Sequence, residues 1–466
     1  MKLHFLGANR QVTGSRYCLE TADAKVMIDC GMFQEREFLA RNWEPNSITP
    51  SECDAMLLTH AHLDHCGLIP RLVANGFLAP IYCTHPTVDL SEVILRDSAK
   101  IQQEDAAYKK KRHEREGRKG KYPEKALYVE DDVIQTLPLL NGVPYETLWR
   151  VTDSVSVVFH DAGHILGSAM LEVVVAENGS TRRVIFSGDI GQWNKPIIRD
   201  PSLFDSADYV VMESTYGDRN HEHDSDLETQ LCDVINETIG RGGNVVIPTF
   251  AVERAQELMY YTSRLVHDDR IPEVNVFLDS PMAVDVTNIF RKYREYFDQE
   301  AWELIGSNQS PLQFPGLQLA RSAAQSKEIN NQRKPCIIMA TSGMCTGGRI
   351  KHHLRRNISR PESTILFVGY QAHGTLGRLI SDGKPEVRIH GRNYESKSQI
   401  ARIYGFSGHA DRNALLRWIG HLKQAPTSIF LTHGEEDAAM SLANQIRNDK
   451  GWTVSVPEFR EVVDLG

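Results

Sequence analysis

Residues 57–70 read LLTHAHLDHCGLIP. His60, His62, Asp64 and His65 stand together there, directly after the apolar run Ala55-Met56-Leu57-Leu58. That run reads as a buried strand. In extended chain, residues two apart point to the same side, so His60 and His62 face one way. Asp64 and His65 follow as the chain enters a predicted helix, GLIPRLVANG. Imidazole nitrogens and a carboxylate oxygen form a ligand set suited to zinc or a similar divalent ion. The H-x-H-x-D-H spacing lets one histidine pair take one ion and the Asp-His pair a second. One such histidine would be ordinary surface; the whole string is a ligand set.

Other strands end the same way. VMIDCG ends at Asp29, VIFSGDIG at Asp189, VVMESTYG at Glu213 and SIFLTHGE at His433. Open α/β sheets gather ligands at the carboxyl ends of strands, so these positions are expected to converge. His164, beside Gly163 in HDAGHILGS, is a further candidate. His160 competes with it but sits inside the strand pattern. Asp189 suits a carboxylate between two ions; its other reading is a turn aspartate capping a glycine.

The chain has 466 residues and a net charge of −9. Contact with a polyanion must therefore come from a local patch. One basic run, YKKKRHEREGRKGKYPEK, reads either as a solvated helix and loop or as a phosphate-binding flank. The eight cysteines form no C-x-x-C pair, which reads as free thiols in a reducing compartment. The amino terminus has no apolar signal segment, and no apolar run nears the roughly 20 residues of a membrane span. ENGS reads as a hairpin turn. A soluble, cytoplasmic protein with no membrane partner is expected.

Short strands broken by Gly, Asn and Asp fill roughly the first 200 residues. A polar helical block, 86–137, interrupts them, and 199–208 reads as a linker. Strands then alternate with amphipathic helices, the signature of a parallel, doubly wound α/β domain. From about residue 398 short strands return, with one helix.

THAHLDH, GHILGS and FSGDIG, in that order, resemble the metallo-β-lactamase superfamily. MESTYG, NVVIPTFAVERAQEL, SGMCTGGR, GYQAHGTLGR, GFSGHAD and LTHGEED resemble its β-CASP branch. That branch includes the endonuclease subunit of the pre-mRNA cleavage and polyadenylation machinery and its bacterial and archaeal relatives. The resemblance covers essentially the whole chain. It implies an α/β four-layer αββα sandwich from residues 1–207 and 398–466, with a parallel α/β β-CASP domain inserted over 208–397. It implies two zinc ions, with manganese or iron as substitutes: His60, His62 and His164 on one, Asp64, His65 and His433 on the other, Asp189 bridging. Asp29 would support these ligands. Glu213 and His409 match the paired acid and histidine of the cleft. His433 favours RNA, because DNA-repair members typically lack a histidine there.

The reaction so implied is hydrolysis of single-stranded RNA by a hydroxide bridging the two ions. Asp64 orients it, and His409, held by Glu213, protonates the departing 3′ oxygen. Cleavage is expected to be internal, leaving 5′-phosphate and 3′-hydroxyl ends. Ser342 and Arg349 in the glycine-rich SGMCTGGR, Ser407, and Arg378 are candidate phosphate contacts. Tight turns without a ligand are the alternative there. No Walker A sequence is present. His373 replaces the glutamate of many prokaryotic relatives. The resemblance also allows a homodimer. The competing functions are 5′-3′ exonuclease action, a DNA-directed nuclease, a small-molecule metallo-hydrolase and a catalytically dead scaffold.

Overall fold

The computed structural model describes residues 1–466 apart from 119, 121, 178, 222–225 and 308. The ENGS turn at Asn178, and Lys119 and Lys121 of the basic run, lie outside the described residues. The chain forms two units. One comprises Met1–Asn194, Asp200–Asn220 and His409–Gly466; the other comprises Lys195–Arg199 and His221–Gly408.

The first unit holds two seven-stranded sheets. Lys2–Gly7, Arg16–Glu20, Lys25–Ile28, Ala55–Leu57, Ile81–Thr84 and Leu140–Val143 lie in one, with Val462–Asp464 on its edge. Val155–Asp161, Ala169–Glu177, Ser180–Phe186, Tyr209–Glu213 and Ser428–Thr432 form the body of the other. Leu3, Phe5, Val26, Ile28 and Leu57 of the first sheet meet Phe159, Leu171, Phe186, Val211 and Phe430 of the second in one apolar core. Strand alternation turns Val210 and Met212 to the opposite face. There they pack with Leu415, Trp418, Leu442 and Ile446 of the helices Arg412–Ile419 and Glu436–Lys450. Helices Ile69–Ala74, His85–Glu116 and Glu130–Thr136 accompany the first sheet. This is the αββα sandwich.

His85–Glu116 shows how the sequence sets such an element. Thr84 caps it by accepting from the Thr87 N–H, Pro86 occupies the first turn, and Gly117 closes it in left-handed conformation at φ 63°. Its first half buries Leu90, Ile94 and Leu95; its second half is the solvated, charged run.

The second unit is built on a six-stranded parallel sheet, ordered Leu317–Ala320, Asn275–Asp279, Cys336–Ala340, Val245–Pro248, Thr364–Phe367, Gln399–Arg402. Its central strands VVIP and CIIMA are buried throughout, as expected where helices cover both faces.

Three sequence expectations shift. Tyr209–Glu213, assigned to the inserted domain, pairs in parallel with Val184–Phe186 and with Ser428–Thr432, and so belongs to the first unit. Gln399–Arg402, assigned beyond 397, extends the second unit's sheet beside Thr364–Phe367. A fully buried strand before a helix reads alike in either unit; only its partners differ. The carboxyl-terminal part carries two helices, not one.

Arg349 also needs revision as a free phosphate contact. Its Nη1 donates to Oδ1 of the fully buried Asp279 at 2.6 Å and to the Ala320 carbonyl at 2.9 Å, and its Nη2 to the Arg321 carbonyl at 2.6 Å. Asp279 Oδ2 accepts from His353 Nε2 and from the Ser326 hydroxyl, each at 2.6 Å. A buried carboxylate with this many donors is a fixed strut of the second unit. Asp279→Ala is expected to destabilise that unit by about 3 kcal/mol, because it strands the fully buried His353 and leaves the part-buried Arg349 guanidinium without its carboxylate. Urea unfolding of the parent and the variant measures it; equal midpoints would reject the assignment.

Candidate metal centre

The candidate ligands come from strand ends and tight turns of the first unit. His62 Nδ1 lies 3.1 Å from His60 Nε2 and 3.1 Å from His164 Nε2. Asp189 Oδ2 lies 3.3 Å from His60 Nε2 and 3.4 Å from His164 Nε2. His65 Nε2 and His433 Nε2 face each other at 3.1 Å. Asp189 Oδ1 is 3.1 Å from the first of these and 3.4 Å from the second. Asp64 Oδ2 is 3.4 Å from His433 Nε2. Asp189 thus turns one oxygen to each group. His60, His62, His164 and Asp189 form one constellation, and Asp64, His65 and His433 another.

These atoms fit cations better than they fit one another. Asp189 Oδ1 is buried beside two imidazole nitrogens yet accepts no hydrogen bond. The far nitrogens are already engaged. His65 Nδ1 donates to Asp29 Oδ2 at 2.7 Å. His60 Nδ1 lies 3.1 Å from the Thr59 hydroxyl, and His433 Nδ1 lies 3.1 Å from that of Thr215. Such outer partners fix the ring tautomer and aim the inner nitrogen at a metal. Asp29 is itself held by the Thr59 N–H and hydroxyl, both at 2.8 Å.

The backbone is bent to this purpose. Asp29 at φ 57° and His433 at φ 49° are non-glycine residues in the left-handed region, a conformation that costs energy and recurs at functional sites. The glycines after the ligand motifs are required by closeness. A Cβ on Gly31 would fall 1.6 Å from the Asp64 carbonyl oxygen, and one on Gly191 1.6 Å from that of Gly163.

Electrostatics divide the rings. Burial, reinforced by the His65 charge, pushes His60 down to about 3. Burial and His409 hold His164 well below the usual imidazole range. His65 is also buried, but Asp189 and Asp29 outweigh that and raise it. Burial would raise the Asp189 carboxyl; His433 and His65 hold it far below the carboxylate range.

His409 sits at the rim, its side chain 22% exposed, with Nδ1 3.2 Å from Glu213 Oε1 and Nε2 3.9 Å from Asp189 Oδ2. Glu213 Oε1 also accepts from the Ile190 N–H at 2.6 Å, which fixes the carboxylate. Burial lowers His409, but Glu213 and Asp189 prevail and lift it to about 9.

His160 lies apart, bonded to Glu146 and Glu172 at 2.9 and 2.8 Å. Ser342, Arg349, Arg378 and Ser407 belong to the second unit. Ser342 Oγ accepts from the Gly347 N–H at 3.3 Å, and Arg378 Nε donates to Asp382 at 2.9 Å. Thr59 and Thr215 are site residues the sequence reading missed. A threonine before histidine at a strand end, as in Leu58-Thr59-His60, is the signal that could have found Thr59. Asp29→Ala, which removes the carboxylate behind His65, is expected to weaken metal affinity by about 10–100-fold. A competing chelator titration reads this; unchanged affinity would dismiss the supporting role.

A sandwich whose strand ends gather this donor set defines a metal-dependent hydrolase. The metallo-beta-lactamase superfamily profile matches residues 12–229 and the Beta-Casp domain residues 255–380. The Zn-dependent metallo-hydrolase RNA specificity domain matches 393–457. Ribonuclease TTHA0252 of Thermus thermophilus is 37% identical over all of both chains. Transcription termination factor FttA of Methanocaldococcus jannaschii is 34% identical over 96% of this chain and 69% of its own. A crystal structure of an Enterococcus faecalis protein of unknown function shares the fold at a TM-score of 0.57, with 13% identity and 99% of each chain covered. The chain belongs to the β-CASP branch of the metallo-β-lactamase superfamily, and the Thermus thermophilus relative is named a ribonuclease.

Proposed function

We propose that the protein is a two-zinc endoribonuclease acting on single-stranded RNA in the cytoplasm and leaving 5′-phosphate and 3′-hydroxyl ends. The observation that carries the reading is Asp189, whose two oxygens each face a separate histidine group. His60, His62 and His164 would hold one ion, Asp64, His65 and His433 the other, and Asp189 would bridge them. Bound there, the ions supply Lewis acidity and activate water near neutral pH.

The chain's own residues do the rest. Asp29, Thr59 and Thr215 fix ring orientation. Asp64 orients the attacking water. His409 holds a proton on Nε2 near neutral pH and delivers it to the departing 3′ oxygen, while Glu213 stabilises the imidazolium. Ser342, Ser407 and Arg378 are proposed phosphate contacts; for Arg349, only what Asp279 leaves exposed is available. The eight unpaired, buried cysteines support a reducing compartment. No described helix is long and apolar enough to cross a membrane. A homodimer rests on the resemblance alone.

The test is cleavage of a 5′-labelled single-stranded RNA beside its DNA counterpart by zinc-loaded protein. Internal RNA fragments with DNA intact are expected. Release of mononucleotides from the 5′ end would favour exonuclease action, and cleavage of DNA alone would reject the RNA reading.

A further inference from the structure

A cavity of about 580 Å³ lies in the first unit, beside the outer half of helix His85–Glu116. The mechanism makes no use of it. Its lining is positive, with Lys109, Arg112, Arg118 and Lys125 against Asp105 and Glu124. Two of these are spoken for: Arg118 pairs with Glu116 at 2.6 Å, and Glu124 with His113 at 2.5 Å. Lys109, Arg112 and Lys125 enter no ion pair among the described residues. The Arg112 Nε is buried and has no hydrogen-bond partner there. Trp43 and Tyr122 supply aromatic surface to the same cavity, with the buried Phe33 behind them.

Unpaired cations beside aromatic rings match an anion joined to a flat apolar group. A nucleotide has that form: phosphate for the cations, base for the rings. The cavity is also tied to the metal centre. The Met32 N–H donates to the Leu63 carbonyl at 2.9 Å, one residue before Asp64. The loop 29–34 therefore begins at Asp29, under His65, and ends at Phe33 and Gln34 in the cavity wall.

We infer that this cavity is an accessory site for one nucleotide of the RNA strand, gripping the chain away from the bond that is cut. The inference rests on the RNA reading above. It also gives a role to Lys109, Arg112 and Lys125 of the basic run as a phosphate-binding flank.

The test uses zinc-loaded, full-length protein and a fluorescein-labelled, phosphorothioate 12-nucleotide RNA, followed by anisotropy. Lys109→Glu with Arg112→Glu is expected to weaken binding at least tenfold. Losing two phosphate contacts should also flatten the logarithmic salt dependence by about 1.4, at roughly 0.7 per single-strand contact. Tyr122→Ala should weaken binding at least fivefold. Hydrolysis of bis(p-nitrophenyl) phosphate, too small to span both sites, should not change. If the first pair melts early, Lys109→Glu with Lys125→Glu, both exposed, replaces it. Adenosine monophosphate is added as competitor. Loss of its competition in the variants supports the site. Binding by all variants within twofold of the parent, with the same salt slope, overturns the inference and leaves the RNA reading standing. A parent that neither binds nor cuts RNA overturns both.

Discussion

His409→Ala is expected to slow RNA hydrolysis by about 10²–10⁴-fold, the usual worth of a placed general acid, while metal content stays at the parent level. The position of the ring explains both halves. Its Nε2 faces the cluster at 3.9 Å from Asp189, farther than His60, His65, His164 and His433 at 3.1–3.4 Å, and its Nδ1 leans on Glu213 at 3.2 Å. The acid form must be protonated to act. With the pKa lifted to about 9, activity that depends on it is full below that pH and falls as pH rises through it. Glu213→Gln removes the neighbouring carboxylate that raises the group. Its alkaline limb should therefore move to lower pH. Metal analysis with pH–rate profiles of the three proteins decides the matter. If His409→Ala loses zinc in parallel with activity, the residue is a ligand and not the acid.

The second large effect is at Asp189. Asp189→Ala should lower the rate by at least about 10³-fold, since several kcal/mol of metal-derived stabilisation go with it at about 1.4 kcal/mol per factor of ten. It should also reduce bound metal, because both constellations lose their shared carboxylate at once. His60→Ala touches only one group, so it should leave more metal behind than Asp189→Ala does. Metal counts by mass spectrometry of native protein separate the cases. Full occupancy in Asp189→Ala would end the bridging assignment.

Much of this centre was legible in the sequence for a physical reason. Ligands at strand ends must be followed by sharp turns, and sharp turns leave glycines and short spacings in the text. THAHLDH, GHILGS and FSGDIG carry that record, and the structure brings His60, His62, His164 and Asp189 together. The ion pair of Arg349 with Asp279 was not legible, because its glycine-rich turn looks like an anion nest while Asp279 lies far off in the sequence. Thr59 and Thr215 escaped because a hydroxyl that steers an imidazole has no spacing rule of its own. Tyr209–Glu213 was given to the wrong unit because hydrophobicity reports burial and not neighbours.

The pairing of that strand with Ser428–Thr432 also bears on how the protein is made. The first unit is assembled from three separated pieces of chain, and Lys2–His4 pairs with Val462–Asp464. His409 and His433 reach the ribosomal exit after residues 1–408, whereas residues 221–408 of the second unit emerge as one continuous piece. Closing the sandwich therefore waits on contacts hundreds of residues apart, which are slow to form. A nascent chain carries His60, His62, Asp64, His65, His164 and Asp189 without the groups that complete the site. Until then Asp64 and His65 lack His433, and Glu213 lacks the ring of His409.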